Sequence, residues 1–204
     1  MPFSPMRPLF FTLLLLLGLT SPSLRAAEPP APDKARAALV KAAFLHKFAS
    51  YVDWPDGSFP RPDSPLKIGV LGDSQVWQDL AELARDRSRE GRPVSVTRLA
   101  PGESMAGYHI LYLRSPSLAR MADLLPNVPE GVLTVADADG AHPKGSVMSF
   151  FMEDGRVRFG VSLESAHRQR LRLRSRLLTV ARTVQGLLGP ESRIARLARA
   201  LLLA

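Results

Sequence analysis

Apolar residues recur at helical spacing in one long segment near the amino terminus. Four of them stand four residues apart: Val40, Phe44, Phe48 and Val52. Such a stripe is typical of an amphipathic helix packed against a core, so we expect both phenylalanines to be buried. Lys41 and His46 fall mostly off the stripe. Asp33 is suited to cap the helix, and Pro55 to end it.

Short apolar runs follow this helix, bounded by glycine, proline or polar residues. They predict strands at Leu66–Leu71, Pro93–Leu99, Tyr108–Leu113, Gly131–Val135, Val147–Met152, Arg156–Leu163 and Leu171–Leu173. Further helical patterns occupy Gln75–Arg89, the segment after Ser115, Arg176–Leu188 (with Ser175 as its cap) and Glu191–Leu203.

The order of these elements predicts the fold class. Strands and helices alternate in the first part of the domain, which is typical of an α/β protein. Asp154-Gly155 then separates two strand patterns, and this pair favours a tight β-hairpin. We therefore expect an α/β fold: a single compact domain with a mostly parallel central sheet flanked by helices, followed by a C-terminal β-hairpin and helices.

The first residues have the order of a secretory signal: a positive charge at Arg7, an apolar run over Leu9–Leu19, and small residues at Ala26-Ala27. We predict a signal peptide at 1–26, a Pro-rich spacer and helix start at 27–36, the α/β domain at 37–190 and a C-terminal helix at 191–204. This order predicts a periplasmic protein. An uncleaved membrane anchor is the alternative for the apolar run.

Composition narrows the classes of partner and chemistry. The formal net charge is +8, and cleavage after Ala26 would remove Arg7 and Arg25 to leave +6. Export argues against a nucleic-acid partner, so an acidic protein or an anionic membrane surface fits the charge better. The sequence has no cysteine and four histidines without helical zinc spacing, so we expect no disulfide, no metal and no cofactor.

One set of residues could carry catalysis. Gly72-Asp73-Ser74 follows a predicted strand, and Asp139 and His142 stand in an Asp-x-x-His pattern. A secreted esterase of the SGNH type uses a serine nucleophile with such partners. However, Gly-Asp-Ser is also what an ordinary strand-to-helix turn prefers, because glycine suits the turn and aspartate or serine suits the cap.

Two features could instead contact a protein partner. Arginines alternate with other residues along one stretch: Arg168, Arg170, Arg172, Arg174 and Arg176. If the stretch is extended, they form one charged edge, which would be either a solvated edge that keeps the protein soluble or a docking surface for carboxylates. Trp54 is either an aromatic plug of the core or a partner contact. His46 is expected to be an ordinary surface or satisfied histidine.

The order of several motifs resembles the YfiR/HmsC family of periplasmic proteins. The motifs that carry the resemblance are AAFLHKFASYVDWP at 42–55, VLG at 70–72, GRPVSVTRL at 91–99, HILYL at 109–113, VLTVAD at 132–137, the strand pair within 148–159 and SRLLTVARTV at 175–184. The resemblance implies a compact α/β domain, often dimeric, without enzymatic activity. It also implies binding to the periplasmic region of an inner-membrane diguanylate cyclase, with release by an outer-membrane lipoprotein.

The chain also departs from the family pattern. The family often carries paired cysteines, and one of those positions is Tyr108 here, so disulfide control is excluded. The family's asparagine in the first helix is replaced near His46-Lys47. Because some relatives occur beside histidine kinases, such a kinase is an alternative partner.

The sequence therefore predicts a non-enzymatic periplasmic regulator that represses an inner-membrane signalling protein, with a diguanylate cyclase as the preferred partner. Two alternatives stay open. One is the esterase that uses Ser74, Asp139 and His142. The other is a periplasmic small-molecule binding module with its ligand at the carboxyl ends of the strands, where open α/β sheets bind ligands.

Overall fold

A computed structural model describes residues 32–85, 92–115, 117–138 and 142–186. The predicted signal peptide at 1–26 and C-terminal helix at 191–204 lie outside the described residues, so the predicted domain boundaries stay predictions. Within the described ranges, no helix is long and apolar enough to cross a bilayer.

The helices and strands alternate through most of the chain. The helices are α1 Pro32–Phe48, α2 Ser74–Arg85, α3 Leu118–Leu124, α4 Leu163–Arg168 and α5 Ser175–Val180. The strands are β1 Val52–Asp53, β2 Leu66–Leu71, β3 Val94–Leu99, β4 Ile110–Arg114, β5 Leu133–Asp137, β6 Met148–Glu153, β7 Arg156–Ser162, β8 Arg172–Leu173 and β9 Thr183–Gln185. Short 3₁₀ turns follow α1 at Ala49–Tyr51 and α3 at Leu125–Asn127.

Seven strands form one sheet in the order β3-β2-β4-β5-β6-β7-β9, and β6–β7 is its antiparallel pair. This confirms the predicted α/β fold. Alternate residues of the central strands enter two apolar clusters. One cluster includes α1 and α2, and the other includes α3. The sheet is thus covered on both faces, as its continuous apolar strands require.

The chain reverses its direction of winding at β2. This strand pairs in parallel with β3 on one side and with β4 on the other. Loops that leave neighbouring strands at such a point run in opposite directions and open a crevice at the carboxyl ends of the strands. The fold therefore predicts where a ligand site would lie.

The predicted hairpin is confirmed. Asp154 and Gly155 both have positive φ, 49° and 69°, between β6 and β7. Positive φ at both central residues is the geometry of a type I′ turn, whose twist matches that of the two strands. Glycine adopts this conformation without steric cost, and aspartate tolerates it.

The first helix is shorter than predicted. It ends at Phe48, and Val52–Asp53 is extended because it pairs with β8. Asp33 lies in its first turn rather than at its cap. The exposed fraction of Phe48 is 1%, as predicted, but Phe44 is only half-buried. Lys41 and His46, which the helical stripe left out, are also buried.

The region after β7 also differs from the prediction. Ser162 caps α4, and Ser175 is the first residue of α5 rather than its cap. The predicted helix at 176–188 stops at Val180, and Thr183–Gln185 joins the sheet as an edge strand beside β7. Gly160 permits this pairing, because a Cβ there would lie 2.6 Å from Thr183 Oγ1. Pairing with the sheet thus overrides local helical spacing.

A buried carboxylate in a cavity, and the candidate partner residues

The carboxylate of Asp137 is the centre of a buried polar network at the end of β5. Its Oδ2 atom accepts hydrogen bonds from Lys41 Nζ at 2.5 Å, Tyr112 Oη at 2.5 Å and Arg114 Nη1 at 3.1 Å. Lys41 comes from α1, and Tyr112 and Arg114 come from β4. One oxygen therefore ties the first helix to two central strands.

Burial makes this network electrostatically strong. The side chains of Lys41 and Asp137 are each 8% exposed, and Tyr112 is fully buried. Burial raises the pKa of the Tyr112 hydroxyl well above its usual range, and the neighbouring Asp137 charge raises it further. Tyr112 therefore stays protonated and donates to the carboxylate. Charges in so dry a position must be paired, because each is costly to remove from water.

A cavity of about 620 Å³ opens beside the network. It lies at the carboxyl ends of β2, β4 and β5, where the fold predicts a crevice. Its lining includes Asp73, Ser74, Arg114 and Asp137, with apolar side chains from β6 on another wall. A volume of this order is typical of small-molecule sites.

The turn after β2 shapes one wall of this cavity. Gly72 has φ 87°, and a Cβ there would collide with the carbonyl oxygen of Arg114. Asp73 Oδ1 then accepts from the backbone N–H groups of Gln75 and Val76, each at 3.1 Å, and so caps α2. The Gly-Asp-Ser motif is therefore accounted for by turn and cap geometry.

The residues of this network were not among the site residues predicted from the sequence. Three polar positions follow or end buried strands, namely Asp73, Arg114 and Asp137, and that shared placement could have indicated a common site. For Lys41 the sequence carries no such signal, because its partner is 96 residues away.

The structure does not bring together the two described members of the esterase triad, Ser74 and His142. His142 Nδ1 lies 2.6 Å from Ser149 Oγ, and its Nε2 lies 3.1 Å from the carbonyl oxygen of Ser146. Both ring nitrogens are thus engaged away from Ser74, and burial lowers the pKa of His142. Asp139 lies outside the described residues. In the described part of the chain, no group of three or more histidine, aspartate or glutamate side chains is arranged to hold a metal ion.

Trp54 lies at the opposite end of the sheet and packs internally. Its Nε1 donates to the carbonyl oxygen of His109 at 3.4 Å, and its ring stands edge-on to Phe59 and His109. Trp54 is half-buried, so part of its surface stays open to a partner.

The arginine stretch bends rather than forming one extended edge. Arg168 ends α4, Arg172 belongs to β8, and Arg176 lies in the first turn of α5. Three of the five pair within the chain: Arg168 with Glu164, Arg170 with Glu130, and Arg174 with Asp53. Arg172 and Arg176 are exposed and pair with no carboxylate of the described residues.

Comparison with known families then identifies the chain. The sequence profile of the YfiR/HmsC-like family matches residues 38–182, most of the chain, from α1 to the linker before β9. The chain belongs to the YfiR/HmsC-like family. This is a family of periplasmic, regulatory, non-catalytic proteins that act through partner proteins in signalling. No curated protein sequence matches the chain.

Proposed function

We propose that this YfiR/HmsC-like protein restrains an inner-membrane diguanylate cyclase by binding its periplasmic region. The observation that carries the proposal is the family match over residues 38–182. A binder can repress only if it prefers the inactive form of its target, because it shifts an equilibrium by its differential affinity for the two states. Repression by binding needs no catalytic step. In this proposal, an outer-membrane lipoprotein relieves the repression.

Within this proposal, the arginine stretch supplies the docking charge. Arg172 and Arg176 are its best candidates, because their guanidinium groups are exposed and form no ion pair with the described residues. Arg168, Arg170 and Arg174 would have to exchange an internal carboxylate for one on the partner. Trp54 is the second candidate contact.

Deletion in the native organism tests the function. Removing the protein should raise cellular cyclic di-GMP and biofilm matrix, and an exported copy should restore both. Unchanged cyclic di-GMP would refute the cyclase as partner. A changed phosphorylation state of a membrane histidine kinase would then support the alternative target. Mass spectrometry of the exported protein should find a new amino terminus close to Ala27.

Charge reversal tests the docking surface. Arg172→Glu with Arg176→Glu should weaken repression and lower affinity for the cyclase's periplasmic region while the melting temperature stays close to the parent's. Arg85→Glu is the control, because Arg85, like Arg176, is an exposed arginine on a helix. Binding should weaken as salt rises, since exposed charges are screened beyond about 8–10 Å. Full repression by the double variant would make Trp54 the better candidate for the contact with the partner.

The oligomeric state is a separate part of the proposal. The resemblance implies a domain that is often dimeric, and sedimentation of the purified protein would test whether this chain forms a homodimer. Incubation with a chromogenic ester would test the non-enzymatic assignment. Hydrolysis of the ester that is lost on Ser74→Ala would support the esterase function instead.

A further inference from the structure

The network around Asp137 leaves hydrogen-bonding groups unused in the cavity. Asp137 Oδ2 has three donors, but no donor of the described residues reaches Oδ1. Arg114 uses only Nη1 toward the described carboxylates, which leaves Nε and Nη2. Because both residues line the cavity, it offers an acceptor and donors side by side.

The charges of this lining already balance. Three cations, Lys34, Lys41 and Arg114, face three carboxylates, Asp33, Asp73 and Asp137. Lys41 and Arg114 contact Asp137 directly, and one oxygen of Asp73 is engaged at the positive end of α2. A charged ligand would have to give up its hydration for partners that are already neutralised, which is unfavourable in a partly dry site. The balance therefore favours a ligand without charge.

The remaining wall selects the shape of the ligand. Ala37 and Ala38 come from α1, and Phe150 and Met152 come from the face of β6 that is turned toward α1. Met152 is 52% exposed, so its side chain is accessible on this wall of the cavity. A ligand that suits both walls has hydroxyl groups on one edge and an apolar face on the other.

We propose that the cavity at the carboxyl ends of β2, β4 and β5 binds a small uncharged polyhydroxylated molecule of the monosaccharide class. A hydroxyl group can donate to Asp137 Oδ1 while its oxygen accepts from Arg114. The C–H face of the ring then lies against Met152 and the alanines of α1. The inference concerns ligand binding alone and does not depend on which membrane protein is the partner.

Calorimetric titration of the mature protein with neutral sugars tests this site. The probes are D-glucose, D-galactose, D-mannose and N-acetyl-D-glucosamine, with leucine as a zwitterion and succinate as an anion. At least one sugar should bind saturably and raise the melting temperature, because a ligand of the native state stabilises it. Leucine and succinate should produce no saturable heat.

Two arginine variants assign the binding to the cavity. Arg114→Gln should weaken sugar binding roughly tenfold or more, because it removes hydrogen bonds from a charged donor. It leaves the Lys41 and Tyr112 contacts to Asp137 in place, so the fold should persist. Arg158→Gln is the matched control, since Arg158 is 45% exposed against 44% for Arg114 but lies on the hairpin. This control should bind the sugar as the parent does.

Each contrary outcome overturns a defined part of the inference. Saturable binding of leucine or succinate, with no binding of any sugar, would overturn the inference that the ligand is uncharged. Undiminished sugar binding by Arg114→Gln would show that the sugar binds outside this cavity. If no sugar binds, the proposed ligand class is rejected. None of these outcomes bears on cyclase repression, which is read separately through cyclic di-GMP.

Discussion

The two ends of the central sheet are closed by different chemistry. At the carboxyl end, two cations and a tyrosine hydroxyl converge on the Asp137 carboxylate. At the amino end, the imidazole of His109 accepts from the backbone N–H of Lys67 through Nδ1 and donates to the carbonyl oxygen of Ser58 through Nε2. The first centre is ionic, and the second is neutral.

Aromatic packing completes the neutral centre. Phe59 stacks on His109 with ring centroids 4.2 Å apart, and the guanidinium of Arg92 lies 4.1 Å from the centroid of Phe59. These contacts fix the loop that follows β1 over the start of β4. The comparison shows that the end of a sheet can be stabilised either by a few buried charges, which are costly to desolvate, or by several individually weaker hydrogen bonds and ring contacts. The two kinds of closure should fail differently.

The largest expected effect is the loss of the buried carboxylate. Asp137→Ala leaves Lys41 charged and without its ion-pair partner at a buried position, which should lower the free energy of unfolding by about 3–5 kcal/mol. Asp63→Ala is the control, because Asp63 pairs with Arg61 at the surface and should change stability by only about 0–1 kcal/mol. Chemical denaturation measures both. Similar losses for the two variants would show that burial does not distinguish the pairs.

His109→Phe should have a smaller effect at the other end. The ring keeps its stacking on Phe59, but the N–H of Lys67 loses its acceptor, which costs about 1–3 kcal/mol. His167→Phe serves as control, because His167 is exposed on α4. A melting curve unchanged by the first substitution would show that water replaces the acceptor without cost.

Lowering the pH should also weaken the neutral centre. Burial lowers the folded-state pKa of His109, so the unfolded chain binds a proton more readily. Stability from this group is therefore complete above its unfolded pKa of about 6.5 and declines as pH falls toward the folded value. His142 contributes with the same sign. His109→Phe should flatten the pH dependence of the melting temperature. If the slope of melting temperature against pH stays unchanged, the pH dependence comes from other groups.

The smallest expected effect belongs to the cation over the aromatic ring. Arg92→Gln removes the guanidinium from Phe59 and from the carbonyl oxygens of Arg61 and Ser64, to which it donates. The free energy of unfolding should fall by about 0.5–1.5 kcal/mol. Arg85→Gln, on an exposed helical arginine paired with Glu82, should cost less. A loss larger than that of His109→Phe would reverse the ranking of contacts at this end.

Several features of the protein could be read from local pattern. The alternation of apolar runs predicted the α/β class, because strand and helix periods are properties of neighbouring residues. Asp154-Gly155 predicted the hairpin, since the turn depends on the backbone freedom of those two residues. The family motifs likewise depended only on residues in order along the chain.

The tertiary structure decided the remainder. Residues 183–185 form a strand because Gly160–Ser162 offers an open edge, although their own spacing is helical. Lys41 is buried because Asp137 lies 96 residues away in sequence yet 2.5 Å away in space. A buried charge is tolerated only where partners from other elements surround it, and those partners are set by sheet order rather than by local pattern.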